Sequence, residues 1–141
     1  MKKGLGEIVK EIKEAKTPAK KIDLLRKNDS PSLRGIFELT YDKRITWALP
    51  EGNPPYEPLD KSFDNQGMLY SEMRRMYLFL EGGNSALKPL RREQIFVNML
   101  EELDPDDALL ILEAKSRKIK GVSKKVVKEA FPDFLIDEAN K

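Results

Sequence analysis

Residues 104–134 read DPDDALLILEAKSRKIKGVSKKVVKEAFPDF. The stretch opens with acidic residues and an apolar helical pattern, and then carries seven Lys and Arg residues between Lys115 and Lys128 without any Asp or Glu. Gly121 separates two helical patterns, and Ser123 occupies the position at which the second helix would begin. A helix–turn–helix corner of this kind directs cations and unpaired backbone N–H groups toward one region, which suits a phosphate group.

Helical patterns extend from this corner through most of the chain. Apolar residues recur at helical spacing, and capping residues followed by proline mark several helix starts. The predicted helices cover 5–15, 17–28, 30–41, 68–80 and about 88–103, followed by one that opens at Asp104-Pro105 and one that opens at Ser123. No strand pattern competes with them. We therefore expect an all-α fold in which residues 1–141 form a single compact domain of six to seven short helices.

The segment at about 47–66 differs in character from the helices. It contains the only tryptophan, Trp47, and residues 47–58 hold four of the nine prolines, which excludes a helix there. The segment is too aromatic for a disordered linker, so we expect an ordered loop held in place by Trp47 and Tyr56. A short tail is expected at 135–141.

The amino-acid composition excludes several kinds of function. The chain of 141 residues has a net charge of only +2, although 35% of its residues are charged and the two signs are segregated. It has no cysteine and no histidine, so disulfides and thiolate metal sites are excluded and the commonest general base is missing. We expect no catalytic residues, no metal and no cofactor. With neither a membrane-length apolar stretch nor a signal peptide, a cytoplasmic protein is expected.

Two clusters of charged residues near the corner can each be interpreted in two ways. Asp104, Asp106 and Asp107 lie at a predicted helix start, where the helix dipole favours acidic residues, so capping explains them better than catalysis. The lysine-rich run could be an ordinary solvated helix face. Its lack of acidic residues, its glycine turn and the capping serine favour instead a surface that binds a sugar–phosphate backbone.

Several short segments carry a family resemblance. Leu39-Thr40-Tyr41 and Phe63 through Leu69 are similar to an "LTY" segment and an "FGML" helix entry. Gly83-Asn84-Ser85-Ala86 stands where a "GNAA" helix start is found, and residues 120–132 resemble a "CG-S" helix start that ends in "WPGLI". The chain thus resembles the N-terminal helical DNA-binding domain of ATP-dependent DNA ligases of T-even-like bacteriophages.

The resemblance implies a DNA-binding module without ligase chemistry. Lys120 stands in place of the family's cysteine, Phe131 in place of its tryptophan, and the adenylation motif K-x-D-G is absent. The family domain binds duplex DNA around a nick, which implies contacts by Gly121, Ser123, Lys124 and Lys125, and also by Asn84 and Ser85. The basic run adds electrostatic contacts, and its candidates are Lys115, Arg117, Lys118, Lys120, Lys124, Lys125 and Lys128.

The expected function is therefore binding of duplex or nicked DNA through sugar–phosphate contacts, with a replication protein as a further expected partner and no membrane or small-molecule substrate. Two alternatives stay open. One is a phage interaction or structural module that kept the fold without DNA binding, suggested by the low net charge and the loop after Trp47. The other is an accessory subunit of a split ligase whose catalytic part is a separate chain.

Overall fold

A computed structural model of the protein describes residues 3–60 and 67–134. The predictions for Phe63, for the end of the proline-rich loop at 61–66 and for the tail at 135–141 lie outside these residues. Within them the chain forms seven α-helices and one 3-10 helix: α1 Leu5–Glu14, α2 Pro18–Lys27, α3 Pro31–Tyr41, α4 Met68–Glu72, the 3-10 helix Met73–Phe79, α5 Pro89–Glu102, α6 Pro105–Lys115 and α7 Lys124–Ala130. The all-α fold and the number of helices are confirmed.

The helices begin where local capping predicts. Thr17, Ser30 and Ser123 each accept a hydrogen bond from the backbone N–H three residues later, and Asp104 accepts one from the N–H of Asp106. Proline follows the cap in α2, α3 and α6, where its fixed backbone angle suits the first helical position. These starts are encoded within four residues, which explains why the sequence reveals them.

The segment predicted as one helix over 68–80 is divided in two. The α-helix ends at Glu72, and the chain tightens into the 3-10 helix Met73–Phe79. Beyond it, Leu80 pairs with Trp47 in an isolated antiparallel bridge, in which the N–H of Ala48 donates to the Phe79 carbonyl (2.7 Å). This bridge is the only extended pairing in the described part of the chain.

Helix α6 forms the centre of the domain. It is buried on most of its surface by Ala108, Leu110, Ile111, Leu112 and Ala114, and α1, α3 and α5 pack around it. Helix α2 packs on α7, which places the start of α2 beside the turn that follows α6. Phe131 and Phe134 after α7 are buried in an edge-to-face pair, so this segment packs on the core.

The proline-rich loop is ordered as expected over its described part. The Trp47 indole N–H donates to the Leu39 carbonyl (3.1 Å), and its ring meets Phe96 edge-on. Tyr56 is half-buried against the core, and the Glu57 N–H donates to the Glu101 carboxylate (2.9 Å). None of the helices within 3–60 and 67–134 has the length and apolarity needed to cross a membrane.

Candidate nucleic-acid interface

The turn between α6 and α7 is locked to the body of the protein by its own cations. Arg117 has left-handed backbone geometry (φ 71°), and its guanidinium donates to the carbonyls of Leu39 (2.8 Å) and Asp42 at the end of α3. Lys115 donates to the carbonyls of Pro50 (2.6 Å) and Gly52 (2.7 Å) in the proline-rich loop. These two of the seven predicted cations are therefore engaged in internal hydrogen bonds and leave the surface charge to the other five.

Two further side chains hold the middle of the turn. The Tyr41 hydroxyl donates to the Val122 carbonyl (2.6 Å) and lies 3.3 Å from the backbone N of Ile119, which donates to it. Burial raises the pKa of Tyr41 above its ordinary value, which keeps the phenol protonated as a donor. Lys21 on α2 donates to the Gly121 carbonyl (2.5 Å). The turn is thus fixed from both sides before any ligand binds.

Gly121 is required at its position by backbone geometry. Its φ of +92° lies in the left-handed region, which glycine adopts without the steric cost of a side chain. An added Cβ would also lie 3.3 Å from Lys13 Cγ. Two residues later the Ser123 hydroxyl accepts from the N–H of Val126 (3.3 Å), as predicted for the start of α7. The predicted roles of these two residues as DNA contacts stay predictions.

The remaining five lysines lie on the turn and on α7 and are here called the basic face: Lys118, Lys120, Lys124, Lys125 and Lys128. Lys118, Lys120 and Lys125 are exposed, and their side chains make no hydrogen bond or ion pair within 3–60 and 67–134. Lys124 and Lys128 are partly buried on α7. Exposed lysines produce a local positive potential that attracts a polyanion.

Asn84 and Ser85 belong to a different part of the chain from the turn and helix that carry the basic face. They lie in a turn before α5. In this turn the side-chain oxygen of Asn84 accepts from the N–H of Ala86 (3.2 Å), and the backbone carbonyl of Asn84 accepts from the Arg92 guanidinium (3.1 Å). Helix α5 begins at Pro89, which agrees with the helix predicted over about 88–103 and departs from the family pattern, in which a helix begins at the position of Asn84. Proline at 89 sets the first helical position, and the turn before it is closed by the buried Arg92 guanidinium.

A cleft joins the basic face to the start of α2. It has a volume of about 460 Å³, and four lysines from different segments line it: Lys16, Lys21, Lys118 and Lys124. Lys16 and Lys21 were missed by the sequence reasoning because they lie about a hundred positions before the basic run. A cluster of lysines around Thr17-Pro18 was the available signal, although only the fold shows that it faces the turn.

Asp107 is a third residue whose role was missed. Asp107 is 1% exposed, and one carboxylate oxygen accepts from the N–H of Gly6 in α1 (2.6 Å), while the other has no hydrogen-bond partner among the residues that the structure describes. Burial raises its pKa from 3.8 to about 7. Capping of its own helix is therefore the wrong explanation for Asp107: Asp104 caps α6, and Asp107 binds the start of a different helix. No group of three or more acidic residues in the described ranges could hold a metal ion.

Removing the Tyr41 hydroxyl is expected to loosen the turn. Tyr41→Phe leaves the Ile119 N–H and the Val122 carbonyl without this partner, so the free energy of unfolding should fall by about 1–2 kcal/mol. Urea unfolding followed by circular dichroism measures the change. Tyr77→Phe is the matched control, since the Tyr77 side chain is 52% exposed and should tolerate the loss. Equal stability of both variants would show that the hydroxyl does not hold the turn.

Comparison with known proteins places this architecture in a family. No curated protein and no solved structure gives a significant match to the chain. A family model matches residues 8–121, which run from α1 to the glycine of the turn and include Tyr41, Asp107 and Arg117. This match covers most of the sequence, and the chain therefore belongs to DUF6433, a family of unknown function.

Proposed function

We propose that this protein binds duplex or nicked DNA through the sugar–phosphate backbone, using the basic face. The observation that carries the proposal is the concentration of five lysines on the turn and on α7, three of them exposed and without an internal partner among the described residues. Lysine supplies a flexible point charge that suits phosphate oxygens, and such contacts give affinity without reading base sequence.

The rigidity of the turn supports this proposal. Tyr41, Lys21 and Arg117 fix the backbone that carries Lys118 and Lys120, so little conformational entropy is lost at the backbone when a ligand binds. Arg117 and Lys115 contribute here as positioning residues, because their charged groups are bound to carbonyls of the protein itself. No chemistry on the DNA is part of the proposal.

The alternative of a protein-interaction module drew on the loop after Trp47. The described part of that loop is tied to the core by Trp47, by Lys115 and by the Glu57–Glu101 hydrogen bond. DNA binding therefore has the stronger structural support. The same experiment distinguishes the two, since an interaction module should not bind DNA even at low salt.

Charge reversal on the basic face is expected to abolish DNA binding and leave the fold intact. Lys120→Glu/Lys125→Glu changes two exposed side chains that have no contact to lose within the described ranges. Fluorescence anisotropy would be measured with labelled nicked duplex, intact duplex and single strand at about 50 mM and about 200 mM salt. Wild type should bind at low salt and weaken steeply with salt.

A matched control carries the same change in net charge elsewhere. Lys10→Glu/Arg74→Glu reverses two exposed cations, on α1 and on the 3-10 helix. It should retain most of the wild-type affinity, because its two changes lie outside the basic face. Equal loss in both double variants would show that net charge alone governs binding, and the absence of wild-type binding at low salt would overturn the proposed function.

A further inference from the structure

The cleft beside the basic face has a second wall outside the lysine-rich run. Lys16, in the connection between α1 and α2, and Lys21, on α2, line the same space of about 460 Å³ as Lys118 and Lys124. None of the described residues that line the cleft is acidic. Four like charges around one concave space repel each other, and a bound anion would relieve that repulsion.

The lysine side chains, rather than the helix ends, give the cleft its charge. The Thr17 hydroxyl accepts from the N–H of Lys20 (3.2 Å) at the start of α2, and the Ser123 hydroxyl accepts from the N–H of Val126 (3.3 Å) at the start of α7. These two N–H groups are thus satisfied within the protein. The four ammonium groups supply the positive charge by which a ligand in the cleft would be recognised.

The part of the cleft that the turn forms is held in place by internal hydrogen bonds. Lys21 reaches the Gly121 carbonyl, and the Tyr41 hydroxyl, which also lines the cleft, holds the Val122 carbonyl. Lys16 differs from Lys21 because it is exposed and its side chain has no partner within 3–60 and 67–134. The Lys16 ammonium group can therefore bind a ligand without first giving up a hydrogen bond or ion pair to a described residue.

We propose that this cleft seats one phosphate group of the nucleic-acid backbone, so that Lys16 contacts the same strand as the basic face. The inference rests on the proposed function and extends its site to a segment about a hundred residues earlier in the chain. A backbone phosphate carries the negative charge and acceptor oxygens that ammonium groups recognise through charge-assisted hydrogen bonds.

The test is the salt dependence of DNA binding by Lys16→Gln. Loss of one phosphate contact should lower the slope of log affinity against log salt by about 0.9 and weaken binding roughly tenfold at low salt. Lys10→Gln is the control, since Lys10 is equally exposed on α1 but does not line the cleft. Its slope and affinity should equal those of wild type. Thermal unfolding of each variant checks that the fold is retained.

The outcomes separate this inference from the proposed function. A reduced slope for Lys16→Gln with an unchanged slope for Lys10→Gln supports the cleft as a phosphate site. If wild type binds, Lys120→Glu/Lys125→Glu does not, and Lys16→Gln keeps the wild-type slope, the cleft inference is overturned and the basic face stands. If wild type does not bind DNA at low salt, the proposed function is itself overturned.

Discussion

Gly6→Ala is expected to destabilise the folded protein by about 3 kcal/mol, because the added methyl group has no room against α6. A Cβ at Gly6 would lie 2.6 Å from the carbonyl carbon of Asp106, 2.7 Å from its oxygen and 2.8 Å from the backbone N of Asp107. All three atoms belong to backbone, so no side-chain rotation relieves the overlap. Alanine by itself favours a helix over glycine by about 1 kcal/mol, so any loss must come from this contact.

Urea unfolding of wild type and of Gly6→Ala measures the loss of stability, and Gly35→Ala is the matched control. Gly35 also lies within a helix, but the nearest atom to its added Cβ is Met73 Cε (2.8 Å), the end of a flexible side chain that can move away. Its stability should stay within about 1 kcal/mol of wild type. A Gly6→Ala protein as stable as wild type would mean that α1 and α6 do not meet at this point.

Ionisation of Asp107 is expected to cost stability as pH rises from about 4 to about 8. Burial raises the pKa of this carboxyl from 3.8 to about 7, the Gly6 hydrogen bond opposes the shift, and the charges of Asp104, Asp106 and Glu7 add to it. The pKa of Asp107 is higher in the folded state than in the unfolded state. The resulting stabilisation is therefore fully present when the pH is below the unfolded-state pKa, and it is lost as the pH rises through the folded-state pKa. The difference corresponds to roughly 4 kcal/mol at most.

Asp107→Asn removes this titration and keeps an oxygen that accepts from Gly6. Between about pH 4 and about pH 8 the variant should become increasingly stable relative to wild type, and the gain should approach the roughly 4 kcal/mol that ionisation of Asp107 costs. Comparison of the two proteins at each pH is needed because Arg44 lowers the pKa of Asp42, which gives wild type an opposing acid-side dependence. Asp23→Asn, an exposed change on α2, should follow the wild-type profile. Parallel profiles for Asp107→Asn and wild type would contradict the assignment.

The sequence predicts those parts of the fold whose causes are local. Four helix starts are predictable because the capping side chain bonds a backbone N–H at most three residues away, at Thr17, Ser30, Asp104 and Ser123. The lysine run and its glycine turn are likewise contiguous. Helix α5 begins at Pro89, within the helix predicted over about 88–103 from local pattern, although the family pattern has a helix start at the position of Asn84.

The parts that sequence reasoning could not supply join distant residues. Asp107 binds Gly6 across 101 positions, and Arg117 binds Leu39 across 78. An aspartate at a helix start has the same local pattern whether it caps its own helix or another one, and an arginine in a basic run has the same pattern whether it faces solvent or a carbonyl. Only the packing of α3 and α1 on α6 decides between these roles.

The central position of α6 also determines when the chain can fold during its synthesis. Helices α1 and α3 lie near the beginning of the sequence, yet the helix that covers their apolar faces begins only at Pro105. Until the ribosome has released that segment, Ile8, Ile12 and Ile36 have no permanent partner on α6. The apolar faces of α1 and α3 that pack on α6 therefore stay uncovered in a nascent chain until α6 has been synthesised, so completion of the core waits for that helix.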